Sequence, residues 1–167
     1  MPLFQPMGRR CRVVFLISVC LFAHACGREQ RPANIGTFRM GERVQAGQLV
    51  YNVLDAQWKQ ELGEGGKVPR DRFLVLKVSI TNNGGQRASI PPFELQPANG
   101  ERMQEVTEGL GGVTDWLGTL RTLDPRTTEE GVVVFDAPMA AYKLVASDGG
   151  ELENERFALI DIPVVLE

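Results

Sequence analysis

Hydrophobic and polar positions alternate most clearly over Arg72–Asn82, RFLVLKVSITN. Leu74, Leu76, Val78 and Ile80 interleave with Val75, Lys77, Ser79 and Thr81. Side chains of a strand point to opposite faces in turn, so this period of two predicts a strand with the aliphatic set inward. Gln48–Trp58, QLVYNVLDAQW, lacks Gly and Pro and is rich in strand formers, which predicts a second long strand. Gly41–Val44, Arg87–Ile90, Phe93–Gln96, Val132–Pro138, Tyr142–Ala146 and Arg156–Leu166 supply shorter strand signals. Turn chemistry separates them: Asn82–Gln86 (NNGGQ), Pro91-Pro92, Asn99-Gly100, Leu123–Gly131 (LDPRTTEEG) and SDGG from Ser147. No helical period is sustained beyond about two turns. Seven or eight short strands at this spacing predict an all-β, antiparallel immunoglobulin-like sandwich over residues 35–167.

The N-terminus follows a different pattern. Arg9, Arg10 and Arg12 precede the apolar run Val13–Phe22, which leads to Ala23-His24-Ala25. A basic flank, a short apolar run and a small-x-small end predict a signal peptide over residues 1–25. The run is too short for a span, which needs ~20 apolar residues. Ala23-His24-Ala25-Cys26 also has the form of a bacterial lipobox, with Ala and His at its atypical positions, and a plain cut leaving a free thiol is the alternative. Cys11 and Cys20 leave with the signal, so Cys26 is the only cysteine left and no intramolecular disulfide is expected. A lone cysteine at the cleavage junction is best explained as a lipidation site. The expected location is therefore the cell envelope, membrane-anchored through Cys26, with a secreted or periplasmic soluble form as the alternative. Residues 26–34 read as the acylated cysteine and a polar tether.

Export changes the charge and chemistry as well. The chain has 18 Lys+Arg, 21 Asp+Glu and one His. Loss of residues 1–25 removes three arginines, no acid and the histidine, leaving 15 bases against 21 acids. An acidic exported domain is poorly suited to gripping phosphate backbones, so no nucleic acid is expected. Without histidine, Ser-His-Asp and Cys-His systems and His-based metal sites are excluded.

The remaining candidates are modest. Asp136 and Asp148 are possible general acid–base groups only by abundance. Ser147–Glu155 gathers four acids but lacks the D-x-D-x-D-G spacing of a calcium loop. Gly109–Gly112 lacks the G-K-[ST] ending of a phosphate loop. Met40, Met103 and Met139 are too scattered for a copper site. Tyr51 and Trp58 read as strand packing. Gln104–Thr119 is the irregular part of the chain. Within it Asp115, Trp116 and Leu117 form a possible binding loop, since an aromatic in a Gly-rich loop suits recognition. The competing reading is that Thr114 or Asp115 caps a one- to two-turn helix whose Trp116, Leu117 and Leu120 plug one end of the sandwich.

Several of these stretches, taken in order, are familiar: Gly41–Val44, Phe73–Asn83, Phe93–Leu95 with Asn99-Gly100, Leu123-x-Pro125 running to Gly131–Pro138, and Tyr142-x-Leu144. This order resembles the domain-of-unknown-function 4352 family, over roughly Ile35–Val165. The resemblance implies an immunoglobulin-like sandwich on exported, often lipid-anchored bacterial proteins, similar in fold to secreted immunoprotective-antigen sandwiches. It implies no catalytic residue. The chain departs from the family's Pro-Gly-Glu at Pro125-Arg126-Thr127, and Gln104–Thr119 is longer than usual. The expectation is a non-enzymatic, lipid-anchored interaction module with no catalytic residue, cofactor or resident metal, whose partner is an envelope protein or glycan. The alternative is an extracytoplasmic carrier of a small ligand or metal ion.

Overall fold

The computed structural model describes residues 33–63, 66–119, 121–151 and 153–164. The signal segment, Cys26 and the tether up to residue 32 lie outside them, as does Leu120. Eleven strands follow one another along the chain: β1 (Ala33–Arg39), β2 (Val44–Ala46), β3 (Leu49–Lys59), β4 (Arg72–Asn82), β5 (Ala88–Ser89), β6 (Glu94–Pro97), β7 (Met103–Gln104), β8 (Thr122–Leu123), β9 (Thr128–Ala137), β10 (Tyr142–Ser147) and β11 (Arg156–Ile162). One sheet has the order β1-β11-β10-β6-β7, the other β2-β3-β4-β9, and β5 pairs with β8 in a small ribbon. The result is an all-β sandwich with more strands than the seven or eight expected. Beyond the eight expected segments the surplus is β1 and the two-residue pieces β7 and β8, which are too short to leave a period in the sequence, while β5 is the expected Arg87–Ile90 strand shortened to two residues. The antiparallel expectation needs one correction, because β1 runs parallel to β11.

The alternation of β4 does what it predicts. Leu74, Leu76, Val78 and Ile80 are all buried between the sheets. They meet Tyr142, Leu144 and Ala146 of β10, Ala158, Ile160 and Ile162 of β11, and Val133 and Phe135 of β9 in one apolar cluster. In β3 the parity changes part-way. Tyr51 and Val53 face inward, then Ala56 and Trp58 do, because the register with β4 slips between Val53 and Asp55. Leu54 is the extra residue of this bulge, which leaves it exposed beside the core residue Val53.

A sandwich has four strand edges, and unprotected edges invite pairing with other chains. Here β2 is three residues long and β7 two. The outer edge strand β1 is bulged between Asn34 and Thr37. Edge strand β9, ten residues long, is covered by the segment between β7 and β8.

The two ends of the sandwich differ. Ala33 N–H donates to the Glu155 carbonyl (2.8 Å), so β1 enters beside the 148–155 loop. That end also holds Asn82, whose buried amide donates to the carbonyls of Gln86, Leu123 and Asp124 (2.7, 3.1 and 3.3 Å) and accepts from Gly84 N–H (2.9 Å). One side chain thereby ties the end of β4 to the turn after it and to the stretch after β8. The opposite end is marked by Trp58 against Tyr142, with ring centroids 6.2 Å apart.

Candidate functional site

The irregular segment after β7 is a structural element rather than a free loop. Val106 N–H donates to the Val134 carbonyl (2.7 Å) and Leu117 N–H to the Val132 carbonyl (3.2 Å). Val132 N–H in turn donates to the Asp115 carbonyl (2.8 Å). Trp116 bridges Val132 in parallel sense, so the segment acts as a fragmentary extra strand along β9. Successive side chains then fall on opposite sides of that edge. Trp116 packs on an outer cluster with Leu62, Phe73, Val106, Leu110 and Val134. Leu117 packs on the main core instead. Gly131 makes this possible: a Cβ there would stand 2.5 Å from Leu117 Cδ2 and 2.7 Å from the Asp115 carbonyl oxygen.

No helix forms over Thr114–Leu117, so the expected one- to two-turn helix is corrected: Asp115 has φ of 61°, left-handed and incompatible with a helix start. The plug lies along an edge of the sandwich, not across its end. Trp116 and Leu117 are half-buried and Asp115 is exposed.

The two ends of the segment are clasped together. Arg121 Nη2 donates to Glu105 Oε2 at 2.5 Å, and both side chains are buried. Glu105 Oε1 also accepts from Phe93 N–H (3.2 Å), and Arg121 Nε donates to the Gly118 carbonyl. The guanidinium lies over the Phe93 ring, 5.3 Å from its centroid. Tyr51 meets the same ring edge-on at 5.9 Å and donates its hydroxyl to the Ser147 carbonyl (2.6 Å). Burial first, and Asp148 second, push the Tyr51 phenol far above the usual tyrosine range. Sequence reasoning missed Glu105 and Arg121. Each is a single charge in a mixed stretch, and only their meeting across 16 residues reveals the pair.

The other candidate residues are dispersed. Asp136 accepts from Arg70 N–H (2.8 Å) and Asp71 N–H (3.0 Å), fixing the chain as it enters β4. Asp148 lies at the opposite end and accepts from Gly150 and Arg156 N–H, both at 3.0 Å, closing the β10–β11 hairpin. The two carboxylates therefore do not face one another. Among the described residues no three His, Cys, Asp or Glu side chains are grouped to hold a metal. Met40 and Met103 pack on the main core from different elements, and Met139 is exposed. Gly112 serves close packing: a Cβ there would stand 2.1 Å from the Leu62 carbonyl oxygen.

Beside the clasped segment, a cleft of about 560 Å³ opens between Lys67–Arg70 and Gln104–Glu108, with Asp136 at one side. It follows the seam where edge strand β9 of one sheet approaches edge strand β7 of the other. A hollow of about 160 Å³ on the solvated half of β3 and β4, lined by Arg43, Val50, Asn52, Ser79, Thr81 and Thr128, is much smaller.

The model of the domain of unknown function DUF4352 matches residues 38–162. The chain belongs to this family. The match takes in both sheets and the clasped segment, so the segment is internal to the family's domain. No curated protein matches the chain in sequence. Among solved structures, the YjhA protein of Bacillus subtilis is 19% identical with a TM-score of 0.53, over 74% of this chain and 99% of that one. The proposed lipoprotein YcdA of the same organism is 14% identical with a TM-score of 0.57, over 73% of this chain and 38% of its own length. A functionally unknown protein of Listeria monocytogenes is 10% identical with a TM-score of 0.55, over 74% and 82%. At these identities the likeness is one of fold.

Proposed function

We propose that this DUF4352 domain is a non-enzymatic interaction module displayed on the cell envelope by a lipid on Cys26. The observation that carries the reading is the spacing at the N-terminus. Cys26 closes an export signal, and β1 begins at Ala33, seven residues later. At ~3.3–3.6 Å per residue the tether reaches at most roughly 25 Å, which keeps the sandwich close to the membrane. Two or three acyl chains, at ~0.8 kcal/mol per buried CH₂, hold it there where one chain is marginal. Resemblance in fold to the proposed lipoprotein YcdA supports the same reading. The dispersal of Asp136 and Asp148 and the loss of His24 with the signal support a binding role over a catalytic one. The partner is an envelope protein or glycan met by the loops of the sandwich.

Labelled palmitate in intact cells tests the anchor. Wild-type chain takes up label and Cys26→Ala takes up none. Equal labelling of the two overturns the anchor.

A further inference from the structure

Asparagine or aspartate precedes glycine at three places in the chain: Asn83-Gly84, Asn99-Gly100 and Asp148-Gly149. The pairing has a chemical meaning. The main-chain nitrogen of the following residue lies within reach of the side-chain carbonyl carbon, and glycine leaves that approach free of a Cβ. The fold treats the three pairs differently. Gly84 N–H donates to Asn82 Oδ1 (2.9 Å), and Asn83 N–H donates to the Gln48 carbonyl (2.8 Å). Gly84 is also hemmed in: a Cβ there would stand 2.1 Å from Gln48 Oε1 and 3.0 Å from Asn82 Oδ1. Gly149 N–H donates to Ser147 Oγ (3.0 Å), and Asp148 Oδ1 accepts from Gly150 and Arg156 N–H. In both pairs the nitrogen is engaged and its surroundings are fixed. The remaining pair is open. Gly100 N–H has no hydrogen-bond partner among the described residues. Residues 98–102 are exposed throughout, and a Cβ on Gly100 would meet only Pro97 Cγ, at 3.8 Å. The loop they form joins β6 to β7, and β7 is only two residues long, so the chain is held weakly on that side.

We propose that Asn99 is a self-modifying site, which converts to aspartate and isoaspartate at the tip of the β6–β7 loop. The Gly100 nitrogen, after giving its proton to hydroxide or water, attacks Asn99 Cγ. The bond from Cγ to Nδ2 breaks, and the side-chain nitrogen takes up a proton and leaves as ammonia. The product is a succinimide ring. Water then opens the ring at either carbonyl, which gives aspartate or isoaspartate. The net reaction consumes one water and releases one ammonia, and it needs no oxidant, reductant or cofactor. Each conversion places a new carboxylate two residues from Glu101. Isoaspartate also adds one carbon to the main chain of the loop. Asn83 has the same chemistry available, but there the reaction must first release the Gly84 N–H and displace packed backbone.

The full chain is incubated at mildly alkaline pH, in buffer and in denaturant, and is then digested with trypsin. Cleavage after Lys77, Arg87 and Arg102 puts the two asparagines on separate peptides, 78–87 and 88–102, where mass spectrometry follows the loss of each amide. In the folded chain Asn99 is expected to convert roughly fivefold or more faster than Asn83, because a hydrogen bond of ordinary net strength guards the Gly84 nitrogen. In denaturant the two rates converge, since the guard is gone. Enzymatic methyl transfer to isoaspartate, measured on the folded chain, gives a signal that grows with incubation, and Asn99→Gln removes most of it because the longer side chain closes a larger ring slowly. A ratio of Asn99 to Asn83 conversion that is the same in buffer and in denaturant overturns the proposal. So does an unconverted Asn99, or a methylation signal unchanged by Asn99→Gln.

Discussion

The two faces of β4 are made from the same eleven residues and are buried by different means. Its inner face, Leu74 to Ile80, is covered by another sheet. Its outer face is covered only in part: Phe73 and Val75 lie under the clasped segment, while Lys77 stays in solvent. A sheet covers a face uniformly and leaves a uniform period of two. An irregular segment covers one patch, and its own side chains serve two clusters in turn, as Trp116 and Leu117 do. It therefore carries no period. The inner core is a property of the strands, and the outer core a property of the clasp between Glu105 and Arg121.

Four variants sharpen that contrast. Phe135→Ala removes a ring that is fully buried between the sheets. It is expected to destabilise the whole domain by about 3–5 kcal/mol, seen as a single shifted transition in denaturant unfolding. Glu105→Ala leaves the Arg121 guanidinium buried without its carboxylate and is expected to cost about 3 kcal/mol. Removing both partners, with Glu105→Leu and Arg121→Met, is expected to restore most of that loss, because neither charge then remains buried. A double variant as unstable as Glu105→Ala would show that the pair contributes by more than charge compensation. Gly131→Ala pushes a methyl against Leu117 and the Asp115 carbonyl oxygen. The expected cost is about 1–2 kcal/mol, with faster amide exchange confined to the segment. A loss spread evenly over β3 and β4 would contradict the separation of the two cores.

The same contrast explains what could be read in advance. β4 was legible to the residue because its inner partner is a sheet and its end carries turn residues. β3 was legible within a residue at each end, although its bulge at Leu54 was not, since a bulge needs the partner strand to be defined. β1 was hidden: Ala33–Arg39 is exposed along most of its length and has no apolar period, so its first residues read as tether. Its parallel pairing with β11 joins the first and last strands of the domain, a contact no local pattern announces. Trp116 was legible as the notable residue of its stretch. Its partner Val132 was not, and neither was the Glu105–Arg121 clasp, because both meet only after the chain has folded back on β9.

The measurement that bears most directly on this account is amide exchange at Val106, Leu117 and Val132, the three donors that tie the segment to β9. If the segment is a structural cover, these amides exchange far more slowly than an open loop and slow down together, and Glu105→Ala releases all three while Leu76 in β4 stays protected. Exchange of Leu117 and Val132 at the rate of an unstructured chain in the wild type would contradict it, and would return Asp115–Leu117 to the status of a free recognition loop.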